Sequence, residues 1–504
     1  MLLTALCYIG SVLSMSLQIF LEGRFLGIER FLSEAPDSNE SSLETRSLWL
    51  SLASEIIPRA LLKELGLAPI LLGFSSSGYF LLVLPEETRS DAEQFLLKAS
   101  EAIASMSFGQ LRLIYSATEN LGEWANVRKR LEDDLSRKAN TPIATSGLAH
   151  FTQQPESTAS ANPLDHAWLT AMRSSKSAGW NPELPANILP TGGKHQWPLA
   201  DAPDIIPLAR HAAPSESSNT FATSEIFAAR ADGAHAWGVL RGNVDNFLAR
   251  LESANSIEDY IRISVVFKQF FAGELEVACS LPEFWQKTTI LFTGGDEFAV
   301  HGSWDALISL AREIDRLFER FTSETLADFP GPEAKTITMG LALGRQGESL
   351  GEVYREAGRK LDAAKAMGKG RFQLFGRSVE WKELIEASAL AGRMTKIVSD
   401  YGCSSAFLDE LAGFYRESLL EEAGGAVVVR KKEKRFDRPW RFYRRLNSVL
   451  EPARAMNPQR MREFERRKTS LIEELISRGS AGRRLRPSGR VALEWARLTV
   501  ETSN

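Results

Sequence analysis

An α+β fold is what this sequence predicts, built from one strand-and-helix unit used twice and followed by an all-helical C-terminal part. Three observations predict it. Residues 17–138 and 236–375 each read strand, helix, strand, tight turn, strand, helix, strand. The central turn is made of small residues in both, Ser75-Ser76-Ser77-Gly78 in the first and Gly294-Gly295-Asp296-Glu297-Phe298 in the second. Beyond about residue 380 only helical periodicity remains. A chain of 504 residues exceeds one core, and it divides naturally into 1–140, 141–226, 227–378 and 379–504.

The elements follow in order. In the first unit LQIFLEG opens a strand from residue 17, and Gly27–Phe31 forms a short turn segment. Leu48, Leu52, Ile56 and Leu62 mark one face of a helix over 41–65. APILLGF and YFLLVLP are apolar strands on either side of the serine-glycine turn, and a helix (86–105), a strand (110–116) and a charged helix (120–138) complete the unit. Residues 141–226 are rich in Ser, Ala, Pro, Asn and Thr with little periodicity, which predicts a linker or an irregular insertion. In the second unit AWGVLRGNV is a strand over 236–244, and 246–273 is mostly helix. KTTILFT and EFAVHG are strands joined through Gly-Gly-Asp. Leu307, Leu310, Ile314, Leu317, Phe318 and Phe321 stripe a helix over 303–325. KTITMGLALG is a strand, 350–367 a helix and RFQLF a last strand. Helices are expected around 380–398, 405–421, 440–450, 458–477 and 488–500.

The composition is that of an ordinary globular protein, 44% hydrophobic and 25% charged with a net charge of −4. Nucleic-acid contact would therefore rest on local patches rather than overall charge. The three cysteines, Cys7, Cys279 and Cys403, form no CxxC pair, which supports neither a disulfide framework nor a cysteine zinc site and fits a reducing, cytoplasmic compartment. The first 20 residues are apolar but lack a basic leader, and the run is interrupted and short for a membrane span. Met15 is an alternative start.

The second turn carries chemistry. Phosphoryl transfer with two metal ions needs carboxylates gathered at one point, because magnesium takes oxygen ligands. A hairpin tip can gather them, with Gly294 and Gly295 allowing close approach of a triphosphate and Asp296 and Glu297 projecting beyond an apolar hairpin. On the neighbouring strand Asn243 and Asp245 share a face, so Asp245 is the candidate third carboxylate and Asn243 a neutral ligand at best. Lys365 and Lys369, just before the last strand, are placed to bind phosphates. Gly-Gly-Asp alone is also a good turn sequence. The flanking apolar strands, the following helix and the lysine segment argue for more, namely a hairpin of the polymerase/cyclase palm type.

With those segments in place, the chain resembles the large, palm-containing subunit of type III CRISPR effector complexes (the Cas-ten family, most like its type III-A branch). LEGRFLGIERFL is similar to the opening of the family's first palm, with Arg24 in place of the usual acid and Glu29 in place of a glutamine. ETRSLWLSLASEIIPRALLKELGLAPILLGFSSSGYFLLVLP is similar to the helix and small-residue hairpin that follow, and VLRGNVDNF, TGGDEFAVHGSW and AAKAMGKGRFQLFGRSVEW to the second palm. The resemblance implies two ferredoxin-like palm modules, the first degenerate, plus the helical domain. It also implies synthesis of cyclic oligoadenylate from ATP, triggered by target RNA, with Mg2+ or Mn2+ at Asp296 and Glu297. Lys365 and Lys369 would touch phosphates, and Ser77 and Gly78 would line a second ATP pocket. Other complex subunits, guide RNA and target RNA are the implied partners, with no membrane.

Three departures matter. No His-Asp dipeptide of the family's HD nuclease occurs, and the cysteine zinc module is replaced by 141–226. The family's first metal-binding acid falls on Asn243. A catalytically inactive palm serving as a scaffold of the same complex is therefore the alternative, and the literal GGDEF string leaves a diguanylate cyclase as a distant one. Between Arg430 and Arg445 nine Lys/Arg face two acids among aromatic residues. Arg435, Arg438, Trp440, Arg441, Arg444 and Arg445 are accordingly candidates for RNA or subunit contact, against a solvated helix face with core aromatics.

Overall fold

The computed structural model describes residues 17–34, 40–76, 78–141, 164–202, 204–216, 220–409, 457–475 and 487–501, except 328, 330, 332 and 346, together with 411, 412, 444, 449 and 450. The first unit runs β1 (Gln18–Leu26), α1 (Ile28–Ser33), α2 (Glu40–Glu64), β2 (Leu72–Ser76), β3 (Tyr79–Pro85), α3 (Arg89–Met106) and β4 (Arg112–Glu119), and α4 (Trp124–Asn140) follows. Its four strands lie in the order β2-β3-β1-β4. Before the second unit, 164–229 holds α5 (His166–Ser174), β5 (Ser177–Trp180), β6 (Ile188–Leu189), β7 (His195–Pro198) and α6 (Ser224–Ala229). The linker expectation for 141–226 thus needs correction over its described part, which folds as a small three-stranded sheet ordered β6-β5-β7. Its core is aromatic rather than periodic: Trp180 is buried, and its indole N–H donates to the carbonyl of Pro185.

The second unit then runs β8 (Trp237–Val244), α7 (Phe247–Glu252), α8 (Ile257–Gln269), a π-helical turn (Phe270–Glu274), α9 (Leu275–Ser280), β9 (Thr288–Thr293), β10 (Glu297–Ser303), α10 (Trp304–Glu324) and β11 (Ile337–Gly344). A crossover helix, α11 (Leu350–Met367), leads to β12 (Arg371–Leu374) and β13 (Arg377–Glu380). The sheet order is β13-β12-β11-β8-β10-β9, whose last four strands repeat the order of the first sheet. The helices α12 (Trp381–Tyr401), α13 (Pro458–Leu475) and α14 (Pro487–Val500) make up the described C-terminal part. Most of the expected helices at 405–421 and 440–450 lie outside the described residues.

The repetition extends to single residues. Gly23 pairs with Phe80, and Gly242 with Phe298. In each pair the phenyl ring lies over the glycine, so that an added Cβ would sit 2.2 Å from a ring atom. Each outer hairpin strand carries a bulge at the same point, between the partners of Leu81 and Leu82 and between those of Ala299 and Val300. The first bulge passes over Gly73 and the second over Leu291, whose carbonyl accepts the Ser47 hydroxyl from α2.

The two sheets share their apolar cores. Trp237, Val239 and Leu291 of the second unit pack with the first-unit core, while Phe20, Phe74 and Leu81 pack with the second-unit core. Burial of this kind is worth about 1.5–3 kcal/mol per large apolar side chain. At the seam Glu55 of α2 meets Lys268 of α8 at 2.7 Å and Arg59 at 2.7 Å, and accepts the Ser75 hydroxyl at 2.8 Å. Among the described residues no helix is long and apolar enough to cross a membrane.

Candidate functional site

The two hairpin tips meet. A Cβ on Gly295 would lie 3.2 Å from the Tyr79 hydroxyl and 3.3 Å from that of Ser76, so the tip of the second hairpin sits against the tip of the first. Neither Gly294 nor Gly295 has a left-handed φ. Close approach, not backbone handedness, is what asks for glycine at Gly295. The turn closes through Gly294 N–H donating to the Glu297 carbonyl at 2.6 Å. Val244 N–H donates to the Asp296 carbonyl at 2.8 Å, the counterpart of Phe25 N–H to the Gly78 carbonyl at 2.7 Å.

Register brings Glu297 opposite Asn243. The Asn243 amide nitrogen donates to Asp296 Oδ2 at 3.0 Å, and its Oδ1 accepts from Lys365 Nζ at 2.8 Å. Lys365 is delivered by α11, which starts on the Ser349–Glu352 capping box and lies close on β11. The close packing occurs at Gly340, where a Cβ would be 2.4 Å from the Leu361 nitrogen. Burial pushes the Asp296 carboxyl up, and the Asn243 bond and Lys365 only partly offset it. Burial and the neighbouring Asp296 charge push Glu297 to about 7. Arg241, two residues before Asn243, lies 4.2 Å over the Tyr354 ring and donates to Glu29 Oε1 at 2.8 Å. Its guanidinium tempers the rise at Glu297.

Asp245, expected as the third carboxylate, is turned elsewhere. Its Oδ1 accepts from Thr338 Oγ1 at 2.7 Å, and its Oδ2 from Thr336 Oγ1 at 2.7 Å and Gly370 N–H at 2.9 Å. It ties β8 to β11 and to the glycine turn after α11. The reason is local: β8 ends at Val244, and the Asp245 N–H bonds the Thr336 carbonyl, drawing the residue toward β11. Sequence reasoning found Asp245 but missed its partners Thr336 and Thr338. It also missed Arg241, although its place on the Asn243 face was readable from strand alternation.

Lys369 is exposed. Gly78 N–H donates to Ser54 Oγ at 3.0 Å, in the first hairpin. Ser77, Arg435, Arg438, Trp440, Arg441 and Arg445 lie outside the described residues, and Arg444 is exposed.

Among the described residues no group of three or more His, Cys, Asp and Glu is placed to hold a metal ion. Burial raises both carboxylates, so a bound cation would offset the cost of ionising them there. That donor set fits one magnesium or manganese ion completed by water and phosphate oxygens. It does not make a cage for two.

A repeated βαββαβ unit with acidic residues at one hairpin tip defines a protein of the palm class. Residues 236–373 match the family described as Cas10/Cmr2, second palm domain. A Cas10/Csm1 (subtype III-A) of Thermococcus onnurineus strain NA1, described as a CRISPR system single-strand-specific deoxyribonuclease, is 22% identical over 447 residues. That match takes in 71% of this chain and 55% of the relative. The protein of the same description from Mycobacterium tuberculosis is also 22% identical, over 464 residues, 74% of this chain and 56% of its own. Among solved structures, a Csm1-Csm4 cassette in complex with pppApApA aligns with a TM-score of 0.68 at 18% identity, over 96% of this chain and 69% of that one. A Csm1-Csm4 cassette in complex with cA3 aligns at 0.62 and 20% identity, over 75% and 59%. Residues 236–373 are thus matched as a Cas10/Cmr2 second palm domain, and the chain spans about half the length of the curated relatives it matches.

Proposed function

We propose that this chain is the large subunit of a type III CRISPR RNA-guided effector complex and that its second palm joins ATP into cyclic oligoadenylate when the complex engages target RNA. The observation that carries the reading is the hairpin itself. Asp296 and Glu297 stand together at a tip that abuts the equivalent tip of the first unit, with Lys365 linked to Asp296 through Asn243. In this reading 1–140 is a first palm without its own acids, 227–378 is the second palm, and 141–226 is an insertion between them. The helical part, 379–504, meets other subunits and the guide RNA, with Arg435, Arg438, Trp440, Arg441, Arg444 and Arg445 as contacts.

Asp296 and Glu297 would hold one Mg2+ or Mn2+, which when bound supplies positive charge to the phosphoryl oxygens. The chain's own residues do the rest. Gly294 and Gly295 add no side chain to the tip, and Gly295 lets it pack against Tyr79 and Ser76 of the first unit. Lys365 spends one donor on Asn243 and has others for a phosphate oxygen. Ser77, Gly78 and Lys369 would line the rest of the nucleotide site.

A second reading, a palm that folds but serves only as an RNA- and subunit-binding scaffold, is favoured by one observation. Asp245 is engaged by three donors away from the hairpin, and Asn243 brings no charge. Incubation of the assembled complex with target RNA, labelled ATP and Mg2+ or Mn2+ separates the two. Cyclic product that disappears in the Asp296→Ala/Glu297→Ala variant supports the enzyme. No product with either metal leaves the scaffold.

A further inference from the structure

The hairpin acids already have a cation of their own. Lys365 approaches Asn243 Oδ1 at 2.8 Å while the other end of that amide donates to Asp296 Oδ2 at 3.0 Å. The direction of the amide follows from its partners: an ammonium only donates and an ionised carboxylate only accepts, so the oxygen must face Lys365 and the nitrogen Asp296. Asn243 is thus a two-ended connector that conveys a lysine charge to a carboxylate through two hydrogen bonds. Asp245, the next acid on the same strand end, faces Thr336, Thr338 and Gly370 instead. Glu297, opposite Asn243 in the sheet, has the Arg241 guanidinium for its nearby charge.

We propose that Lys365, acting through Asn243, stands in for a second divalent ion at this hairpin, so that the site takes one divalent ion where a two-metal palm would take two. The inference rests on the reading of the hairpin as a nucleotide and cation site. Its physical content is a competition of charges. The ammonium beside Asn243 repels any divalent ion drawn to Asp296 and Glu297, and the neutral amide occupies the position from which a third carboxylate would draw one in. The same ammonium attracts a triphosphate. Lys365 therefore has opposite effects on the two ligands, which a lysine of merely structural value would not have.

The test uses the full chain, with Mn2+ binding read by electron paramagnetic resonance without nucleotide and ATP binding read by calorimetry in EDTA. Lys365→Met keeps the aliphatic stem of an exposed side chain, and unchanged thermal unfolding checks its fold. It is expected to tighten Mn2+ by about threefold to tenfold and to weaken ATP by a similar factor. Asn243→Asp adds a carboxylate and is expected to tighten Mn2+ by about tenfold or more. Mn2+ affinity that is unchanged or weaker in Lys365→Met overturns the proposal, as does an Asn243→Asp variant that binds Mn2+ no better than the parent. ATP that binds to none of the variants sinks the nucleotide reading instead, while the order of their Mn2+ affinities still decides the internal cation.

Discussion

The two hairpins share a backbone and differ in chemistry. In both, a central-strand glycine lies under a phenylalanine, a bulge interrupts the outer strand at the same point, and a central-strand N–H bonds the carbonyl just before the inner strand. The first hairpin presents Gly78 and Tyr79 where the second presents Asp296 and Glu297. Opposite Tyr79 the strand β1 offers Arg24, held by Glu22 at 2.9 Å and Glu132 at 2.8 Å; opposite Glu297 the strand β8 offers Asn243. One centre has closed its charge within itself. The other holds two raised carboxylates, and its lysine reaches Asp296 only through the Asn243 amide. A fold can thus be copied faithfully while its reactive side chains are kept in only one copy.

Removing the acids is the most severe way to break that comparison. Asp296→Ala/Glu297→Ala should cut cyclic product by about 100-fold or more, measured with labelled ATP in the assembled complex. Gly78→Asp would not rescue it, because Arg24 rather than a ligand faces the first tip.

Next in size is the seam that holds the tips together. Lys268→Ala leaves the buried Glu55 with Arg59 alone and should cost about 3 kcal/mol, read by chemical denaturation. Burial pushes the Glu55 carboxyl up, yet the Lys268 and Arg59 charges outweigh it and hold it below the ordinary carboxylate value of 4.5. Its folded value lies below its unfolded one, so its contribution is full above that ordinary value and fades as pH falls through the folded value. The stability gap between the parent and Glu55→Gln should accordingly narrow on acidification to about pH 3. A gap that stays constant would show that the pair does not stay ionised.

Overpacking the paired glycines should come third, and equally in both units. Gly23→Ala and Gly242→Ala each push a methyl into a phenyl ring and should destabilise by about 1–3 kcal/mol, seen as a lower melting temperature. A mild effect in one and a severe effect in the other would show that the two cores are not equivalent. The smallest effect belongs to Glu132→Ala. It removes a half-exposed carboxylate and leaves Arg24 paired with the buried Glu22, so about 1 kcal/mol or less is at stake and product formation should be unchanged. A loss of product there would mean that the first centre takes part in the chemistry.

Much of this was legible beforehand. Apolar strands on either side of a small-residue turn, twice over, predicted the strand sequence of both units, and the pattern of 350–367 predicted the helix that brings Lys365. Residues 246–273 read as mostly helix, and the structure adds where that helix is interrupted, at 253–256 and at a π-helical turn over Phe270–Glu274. Periodicity does not register such breaks, because the buried phenylalanines keep their face across them. The small sheet of 164–229 was invisible because its strands are only two to four residues long and its core rests on scattered tryptophans.

By itself the sequence determined the α+β class, the duplicated unit and the acids at one turn, since alternation, helical spacing and turn residues act over a few positions. Tertiary structure decided the rest. It set the two tips against each other, spent Asp245 on Thr336, Thr338 and Gly370, and linked Lys365 to Asp296 through Asn243. The last two outcomes join residues 53 to 125 positions apart, and local patterning cannot specify which donor a carboxylate will meet at such separations.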